Sequence, residues 1–171
     1  MIEYEICPMT TQIEIEEKGC VHWKAWHETY VGLMPDDYLK NITLDKCIEM
    51  AHKWPQNTFL LKSNKKTVGF CCVGESADPE GATEIVAIYL LKEYQGKKLG
   101  YELLNEVLLK YVKNEKMVLW VLEGNEKAIN FYEKYGFHFN GNKKQLSFGM
   151  ELQMEMNKKK VEGACVTLSL D

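Results

Sequence analysis

The 171-residue sequence predicts a mixed α+β domain, and three observations carry that prediction. The first is size and composition: at roughly 150 residues per domain the length gives one unit. Its 46% apolar, 11% aromatic and 27% charged residues describe a globular chain, one long enough to bury about two thirds of its unfolded surface. The second is a strand, helix, strand run from Thr83 to Leu122, whose two strands should lie parallel with a right-handed crossover. The third is a candidate hairpin on either side of that run, which makes the remaining strands antiparallel.

In chain order, Ile2 to Ile6 alternates apolar and acidic residues as a half-buried strand does, and Pro8 with Thr10-Thr11 turns the chain into a helix running to about Tyr30. A second helical stretch follows Pro35, with Leu39, Ile42, Leu44, Cys47, Ile48 and Ala51 at mixed three and four spacings, and Pro55 closes it. Thr58 to Leu61 and Thr67 to Val73 are strands joined by the polar turn Ser63-Asn64-Lys65-Lys66, and Ala77 to Gly81 is an open loop. Thr83 to Leu91 is almost continuously apolar, which predicts a central strand covered on both faces. After Lys92-Glu93-Tyr94, the apolar positions Leu99, Leu103, Leu104, Val107, Leu108, Tyr111 and Val112 mark one face of a helix. Met117 to Leu122 is the next strand, and a short helix runs from about Glu126 to Tyr135. Phe137 to Phe139, an Asn140-Gly141-Asn142 turn and a long strand from Gln145 to Met156 close the fold as a hairpin. Residues 1–156 are expected to form the domain and 157–171 a lysine-rich flexible tail.

Composition narrows the function. No apolar run approaches the roughly 20 residues that span a bilayer, and Met1-Ile2-Glu3-Tyr4-Glu5 is acidic where a signal peptide is basic. A soluble cytoplasmic protein with no membrane partner is expected. The net charge of -4 argues against a nucleic-acid partner and mildly favours cationic ligands. All 21 basic residues are lysine, so any phosphate must be gripped by backbone amides and ammonium groups rather than guanidinium forks. The six cysteines and four histidines form no metal-ligand spacing, so no metal is expected.

The chemistry concentrates in Gln95-Gly96-Lys97-Lys98-Leu99-Gly100, between the central strand and its helix. Unpaired amides and the helix dipole attract an anion such as pyrophosphate there, and glycine lets phosphate oxygens approach the backbone. The spacing is neither a kinase-type phosphate loop nor a dinucleotide fingerprint. Alone, it reads also as a surface turn before an ordinary helix.

Its context is specific. Glu84 to Leu104, with Ile88-Tyr89-Leu90 leading into the glycine loop, resembles the acyl-CoA motif of the GNAT superfamily of N-acyltransferases. Asn125-Glu126-Lys127-Ala128-Ile129-Asn130-Phe131-Tyr132-Glu133-Lys134-Tyr135-Gly136-Phe137 resembles that superfamily's second motif, and Val21 to Pro35 is similar to the first helix and loop of many small bacterial members. The resemblance implies a central mixed, mostly antiparallel sheet of about six to seven strands with a splayed parallel pair and about four flanking helices. It implies acetyl-CoA as donor, with Ile88, Tyr89 and Leu90 along the pantetheine arm and Gln95, Gly96, Lys97, Lys98, Leu99, Gly100 and Tyr101 around the pyrophosphate. Lys98 stands where family members usually carry a second glycine; a positive φ there would cost of order 1 to 2 kcal/mol.

For transfer to an amine, a lysine-like ammonium costs roughly 4.6 kcal/mol to deprotonate at pH 7 and an α-amine about 1 kcal/mol. The resemblance implies Glu84 as the base, usually through water; the same residue reads otherwise as a solvated strand-end carboxylate. It implies Tyr132 as the acid that protects the leaving thiolate, a step uphill by roughly 2 kcal/mol unless a positive environment lowers the phenol. Asn125 reads both as a helix N-cap and as a cofactor contact. Trp26, Tyr30 and Met34 read as core or as lining of the acceptor pocket. The expected activity is direct acetyl transfer to the primary amine of a small molecule, such as a polyamine, amino acid or aminoglycoside, or of a protein amino terminus. The rival from another class is a catalytically silent acyl-CoA-binding sensor or scaffold. If the chain self-associates, a homodimer is the expected form.

Overall fold

The computed structural model describes residues 3–158, in which strands and helices follow one another as β1 (Tyr4–Pro8), α1 (Gln12–Tyr30), α2 (Asp36–Lys40), α3 (Leu44–Lys53), β2 (Thr58–Ser63) and β3 (Lys66–Glu75). β4 (Thr83–Leu90), a single 3-10 turn (Lys92–Tyr94), α4 (Leu99–Lys110), β5 (Lys116–Leu122), α5 (Glu126–Tyr135), β6 (His138–Leu146) and β7 (Gly149–Asn157) complete it. The strands form one seven-stranded sheet in the order β1-β2-β3-β4-β5-β7-β6. Every pairing is antiparallel except β4 with β5, as expected for the predicted crossover through α4. The fold is α+β, with the seven-stranded mixed sheet and single parallel pair that the resemblance implies.

Helix α1 starts at Thr11 because the local sequence satisfies its first amides: the Thr11 hydroxyl accepts from the Glu14 amide at 3.2 Å, and the Glu14 carboxylate accepts from the Thr11 amide at 2.9 Å. It packs against α3 at Gly19, where a Cβ would lie 2.7 Å from the Ile48 Cα, so only glycine permits the approach. Helix α1 covers one face of the sheet through Val21, Met34 of the following loop and Leu39 of α2 extend that layer, and α3 packs against α1. Helices α4 and α5 cover the other, where Leu103, Leu104 and Val107 are fully buried against Cys71, Met117 and Leu119.

Two expectations need correction. The stretch from Pro35 to Pro55 is two helices, since Thr43 turns its hydroxyl to the Lys46 amide and starts α3 anew while Asn41 ends α2. Asn140-Gly141-Asn142 is not the hairpin turn but an irregularity inside β6; the turn lies at Ser147 and Phe148. The Asn140 side chain accepts the Asn142 amide locally, and both asparagine amides donate to Gln153 on β7, so the turn chemistry is satisfied by the neighbouring strand. β4 is covered on both faces as expected, except at Val86, which is 61% exposed.

The expected first strand residue, Ile2, and residues 159–171 of the expected tail lie outside the described residues. β7 carries on through Asn157, and the Lys158 amide donates to the Glu115 carbonyl at 2.7 Å. Among the described residues no helix is long and apolar enough to cross a membrane.

Candidate active site

The site begins with a defect in the sheet. β4 and β5 are paired only at Thr83, Glu84 and Ile85 against Met117, Val118 and Leu119, and beyond Ile85 they diverge. At the same place the register of β3 against β4 slips, with Cys72 opposite Ala87 and Val73 opposite Ile85, leaving Val86 as the extra residue of a β-bulge. The bulge reverses side-chain parity. Ile85, Ile88 and Leu90 face the α4 side, while Ala87 and Tyr89 face the α1 side. The Leu91 amide bonds the Val68 carbonyl, so odd positions of this segment are paired to β3 and the backbone groups of Ile88 and Leu90 face the gap.

A cleft of about 880 Å³ occupies that gap and is lined by residues from β4, β5, α1, α4 and α5. At its loop end none of the amides from Gly96 to Tyr101 donates a hydrogen bond within the described residues. Gly96 has φ +73 and a Cβ there would meet nothing within 4 Å, which leaves the backbone open to a large ligand. Lys98 adopts φ +62 just before α4, the strained left-handed conformation anticipated for it. Lys98, Gly100 and Tyr101 line the cleft. Leu99 instead buries its side chain in the core, and the Lys97 ammonium turns back to the Glu93 carbonyl at 2.7 Å. Gln95 bridges the gap: its amide nitrogen donates to the Leu90 carbonyl at 2.6 Å and its oxygen accepts from the Lys127 ammonium of α5.

Asn125 accepts the Ala128 amide at 3.3 Å as the N-cap of α5, and it also lines the cleft. One helical face of α5 then presents Ile129 and Tyr132 inward. The Tyr132 ring is wedged edge-on against Phe131 and Phe137, and burial drives its phenol far above the ordinary tyrosine range, with Tyr30 and Cys71 pushing the same way. No cation is among the groups that shift it, so nothing offsets the effect of burial. The hydroxyl therefore stays protonated at neutral pH and can offer a hydrogen bond, whereas complete proton transfer to a thiolate is more uphill than for an exposed tyrosine.

On the α1 side, Trp26, Tyr30 and Met34 all line the cleft, and the Tyr30 and Tyr89 hydroxyls share a hydrogen bond of 3.0 Å. The Tyr89 side chain thus belongs to this wall. Trp26 stacks edge-on with Tyr30, and its indole nitrogen is buried without a partner. Glu84 sits half-buried on β4 beside the paired end of the gap, outside the cleft lining. Burial raises its carboxyl, Lys144 lowers it and Glu151 raises it, so a carboxylate here is a stronger base than in water.

Sequence reasoning missed several residues that the fold delivers to the cleft: Trp120 from β5, Lys127 and Lys134 from α5, and Phe148 and Glu151 from the closing hairpin. Glu151 lies across the strands from Lys144 and Leu122. No local pattern marks Trp120, Phe148 and Glu151, because they are brought in by pairing between distant strands, while Lys127 and Lys134 arrive with α5. Among the described residues no group of three His, Cys, Asp or Glu is placed to hold a metal.

Comparison with known proteins gives the same architecture a family. The chain is 26% identical over 136 residues to a probable N-acetyltransferase of Mycobacterium tuberculosis, covering 75% of this chain and 77% of that one. It is 32% identical over 95 residues to a probable spermine N(1)-acetyltransferase of Bacillus subtilis subsp. natto, covering 51% of this chain and 60% of the relative. Its fold is similar to the crystal structure of the PaiA N-acetyltransferase from Thermoplasma acidophilum in complex with coenzyme A, with a TM-score of 0.74 at 22% identity, over 92% of this chain and 100% of that one. The model of the acetyltransferase (GNAT) family matches residues 16–137, the span that contains the glycine loop, the splayed strands and α5. The chain belongs to the GNAT family and is an acyltransferase enzyme.

Proposed function

We propose that this enzyme transfers an acetyl group from acetyl-CoA directly to a primary amine of a small molecule or a protein amino terminus. The observation that carries the reading is the pairing of a splayed β4/β5 gap with a loop of six unpartnered amides at one end and the buried Tyr132 hydroxyl inside. The residues present fit the donor: amides and the dipole of α4 meet phosphate, Lys98, Lys127 and Lys134 supply positive charge around the same cleft, and the backbone edge of Ile88 and Leu90 offers amide partners. Acetyl-CoA supplies the activated thioester. Asn125 and Gln95 fix the two sides of the entrance, and Tyr89, Tyr30 and Trp26 wall the acceptor side. Glu84 receives the amine's proton through solvent, its raised carboxyl making that transfer less uphill. Tyr132 hydrogen-bonds the departing thiolate, which takes its proton from solvent, and no cysteine intermediate is formed. The described cysteines are all free thiols, which fits the reducing cytoplasm.

A thermal-shift titration with acetyl-CoA, CoA, ATP and NAD tests the donor. A ligand at 100 times its dissociation constant stabilises by roughly 2.7 kcal/mol, a readily measured shift. Stabilisation by acetyl-CoA is expected, followed by thiol release with an amine from a panel of polyamines, amino acids, aminoglycosides and peptides. Tyr132→Phe should lower kcat about tenfold to a hundredfold while leaving the dissociation constant for CoA intact. A shift with ATP or NAD alone would overturn the donor assignment. Binding of acetyl-CoA with no amine-dependent thiol release would identify a silent acyl-CoA module instead.

A further inference from the structure

We propose that Glu151 and Trp120 form a subsite for a second, non-reacting ammonium group of the acceptor, and that Lys144 fills this subsite in the free enzyme until the acceptor displaces it. The inference rests on the proposed acetyl transfer and specifies its substrate class as diamines and longer polyamines.

The Lys144 ammonium lies 3.0 Å from a Glu151 carboxylate oxygen and 4.1 Å from the centroid of the Trp120 ring. A carboxylate in contact and an aromatic face beneath are the two groups that bind an ammonium most directly. Both belong to the wall of the cleft, whereas Lys144 does not line it and reaches in from the neighbouring strand β6. Exposure separates the partners: the Glu151 side chain is 18% exposed and that of Lys144 is 40% exposed. The carboxylate is held, and the lysine is the part free to leave. A second carboxylate, Glu84, feels both charges, so one lysine serves two acids and the cluster keeps a net negative charge with Lys144 in place.

The chemistry of transfer determines which nitrogen this subsite holds. A carboxylate and an aromatic face stabilise the protonated form of an amine, and the attacking nitrogen must be unprotonated. The group taking the place of Lys144 is therefore not the nucleophile but a second cation on the same molecule. Exchange replaces one alkylammonium by another, so the carboxylate is not left unpaired and the long lysine side chain regains its freedom.

The test compares 1,4-diaminobutane with butylamine on the wild type, Glu151→Gln, Lys144→Met and Lys144→Gln, by calorimetric binding without acetyl-CoA and then by steady-state kinetics with it. Circular dichroism melts identify any variant that fails to fold, and two substitutions at Lys144 guard against that case. Both Lys144 variants should raise the preference for the diamine over the monoamine about fivefold, the scale of one partly exposed ion pair, and Glu151→Gln should lower it by a similar factor. A preference unmoved by Glu151→Gln, or lowered by both Lys144 variants, overturns the subsite, as does a diamine that binds no better than butylamine to any of the proteins. Glu151-dependent diamine binding with no acetylation refutes the reaction and keeps the subsite. Acetylation without that charge dependence does the reverse.

Discussion

Lowering the pH through 6.5 should destabilise this domain through His22. The imidazole is 8% exposed, stacks on Tyr89 at 5.6 Å and meets Trp26 and Phe70 edge-on, and its Nδ1 has no hydrogen-bond partner. Burial, aided by the Lys18 ammonium on the same helix, lowers its pKa from 6.5 to about 4. The unfolded chain therefore takes up a proton before the folded one. His22 imposes no penalty above pH 6.5; stability then falls as pH drops, until the folded pKa near 4 is reached. Two and a half pH units at 1.36 kcal/mol each set the loss at roughly 3 kcal/mol, a large part of a domain's net stability. Glu84 works the other way, because its raised carboxyl makes the folded state bind protons more readily as pH falls. Its contribution is common to wild type and a His22 variant, so it cancels in their difference. The assay is urea unfolding of wild type and His22→Leu from about pH 7 to pH 4, reading the difference between the two stability curves. The wild type should lose about 3 kcal/mol more than the variant over that range. Parallel curves, or a His22 imidazole that titrates near 6.5 in the folded protein, would refute the reasoning. Because Trp26 and Tyr89 line the cleft, the same protonation should loosen its acceptor wall.

Gly69→Ala would place a Cβ 2.8 Å from the Tyr89 carbonyl oxygen and 2.6 Å from Leu90 Cδ1, so β4 must shift; a loss of about 1 to 3 kcal/mol in chemical denaturation is expected, with weaker acetyl-CoA binding. Lys62 donates to Glu14 at 2.5 Å and is the first cause of a Glu14 pKa of about 2. The resulting stability is present above pH 4.5 and lost as pH falls toward 2, and Lys62→Met should move the Glu14 titration, followed by carboxyl NMR, back up. Lys98→Gly relieves a left-handed backbone but removes a charge from the phosphate loop, so a gain of up to about 1 kcal/mol in stability should accompany weaker CoA binding. Loss of stability together with unchanged CoA affinity would show that Lys98 plays neither part.

What the sequence reveals and what it conceals divide along the range of the interactions. Asn125 caps α5, Thr11 and Glu14 box α1, and the βαβ run from Thr83 to Leu122 folds as its periodicity indicates, because each depends on neighbours within a few residues or on a crossover of fixed hand. The loop from Gln95 to Gly100 is legible for the same reason, although the alternation of side chains gives no sign that Lys97 turns to Glu93 and Leu99 into the core. The acceptor wall is legible only in its α1 part. Trp120, Phe148 and Glu151 meet there through pairing of β5 with β7 and β7 with β6, and that register depends on the Asn140 irregularity, whose asparagines look like a turn until Gln153 is beside them. The environment of Tyr132 is concealed too, since burial by Phe131, Phe137 and the sheet is a tertiary property.

The bulge at Val86 explains how one sheet can carry both halves of the reaction. A helix layer on either face of a continuous sheet would keep Tyr132 on α5 apart from Tyr30 on α1. β4 and β5 stop pairing after Ile85, and through the opening Tyr132 and Tyr30 come close enough to Tyr89 for both to disfavour its ionisation. The extra residue at Val86 sends Ile88 and Leu90 to the α4 side with their backbone toward the gap, and sends Tyr89 to the acceptor wall. A regular strand would reverse all of these placements relative to Ile85, because a one-residue change in register moves every side chain beyond it to the other face. The apolar run from Thr83 to Leu91 is therefore the signature of a strand buried on both faces, broken only at the exposed Val86. Its residues are apolar because, either side of one inserted position, they serve two different interiors.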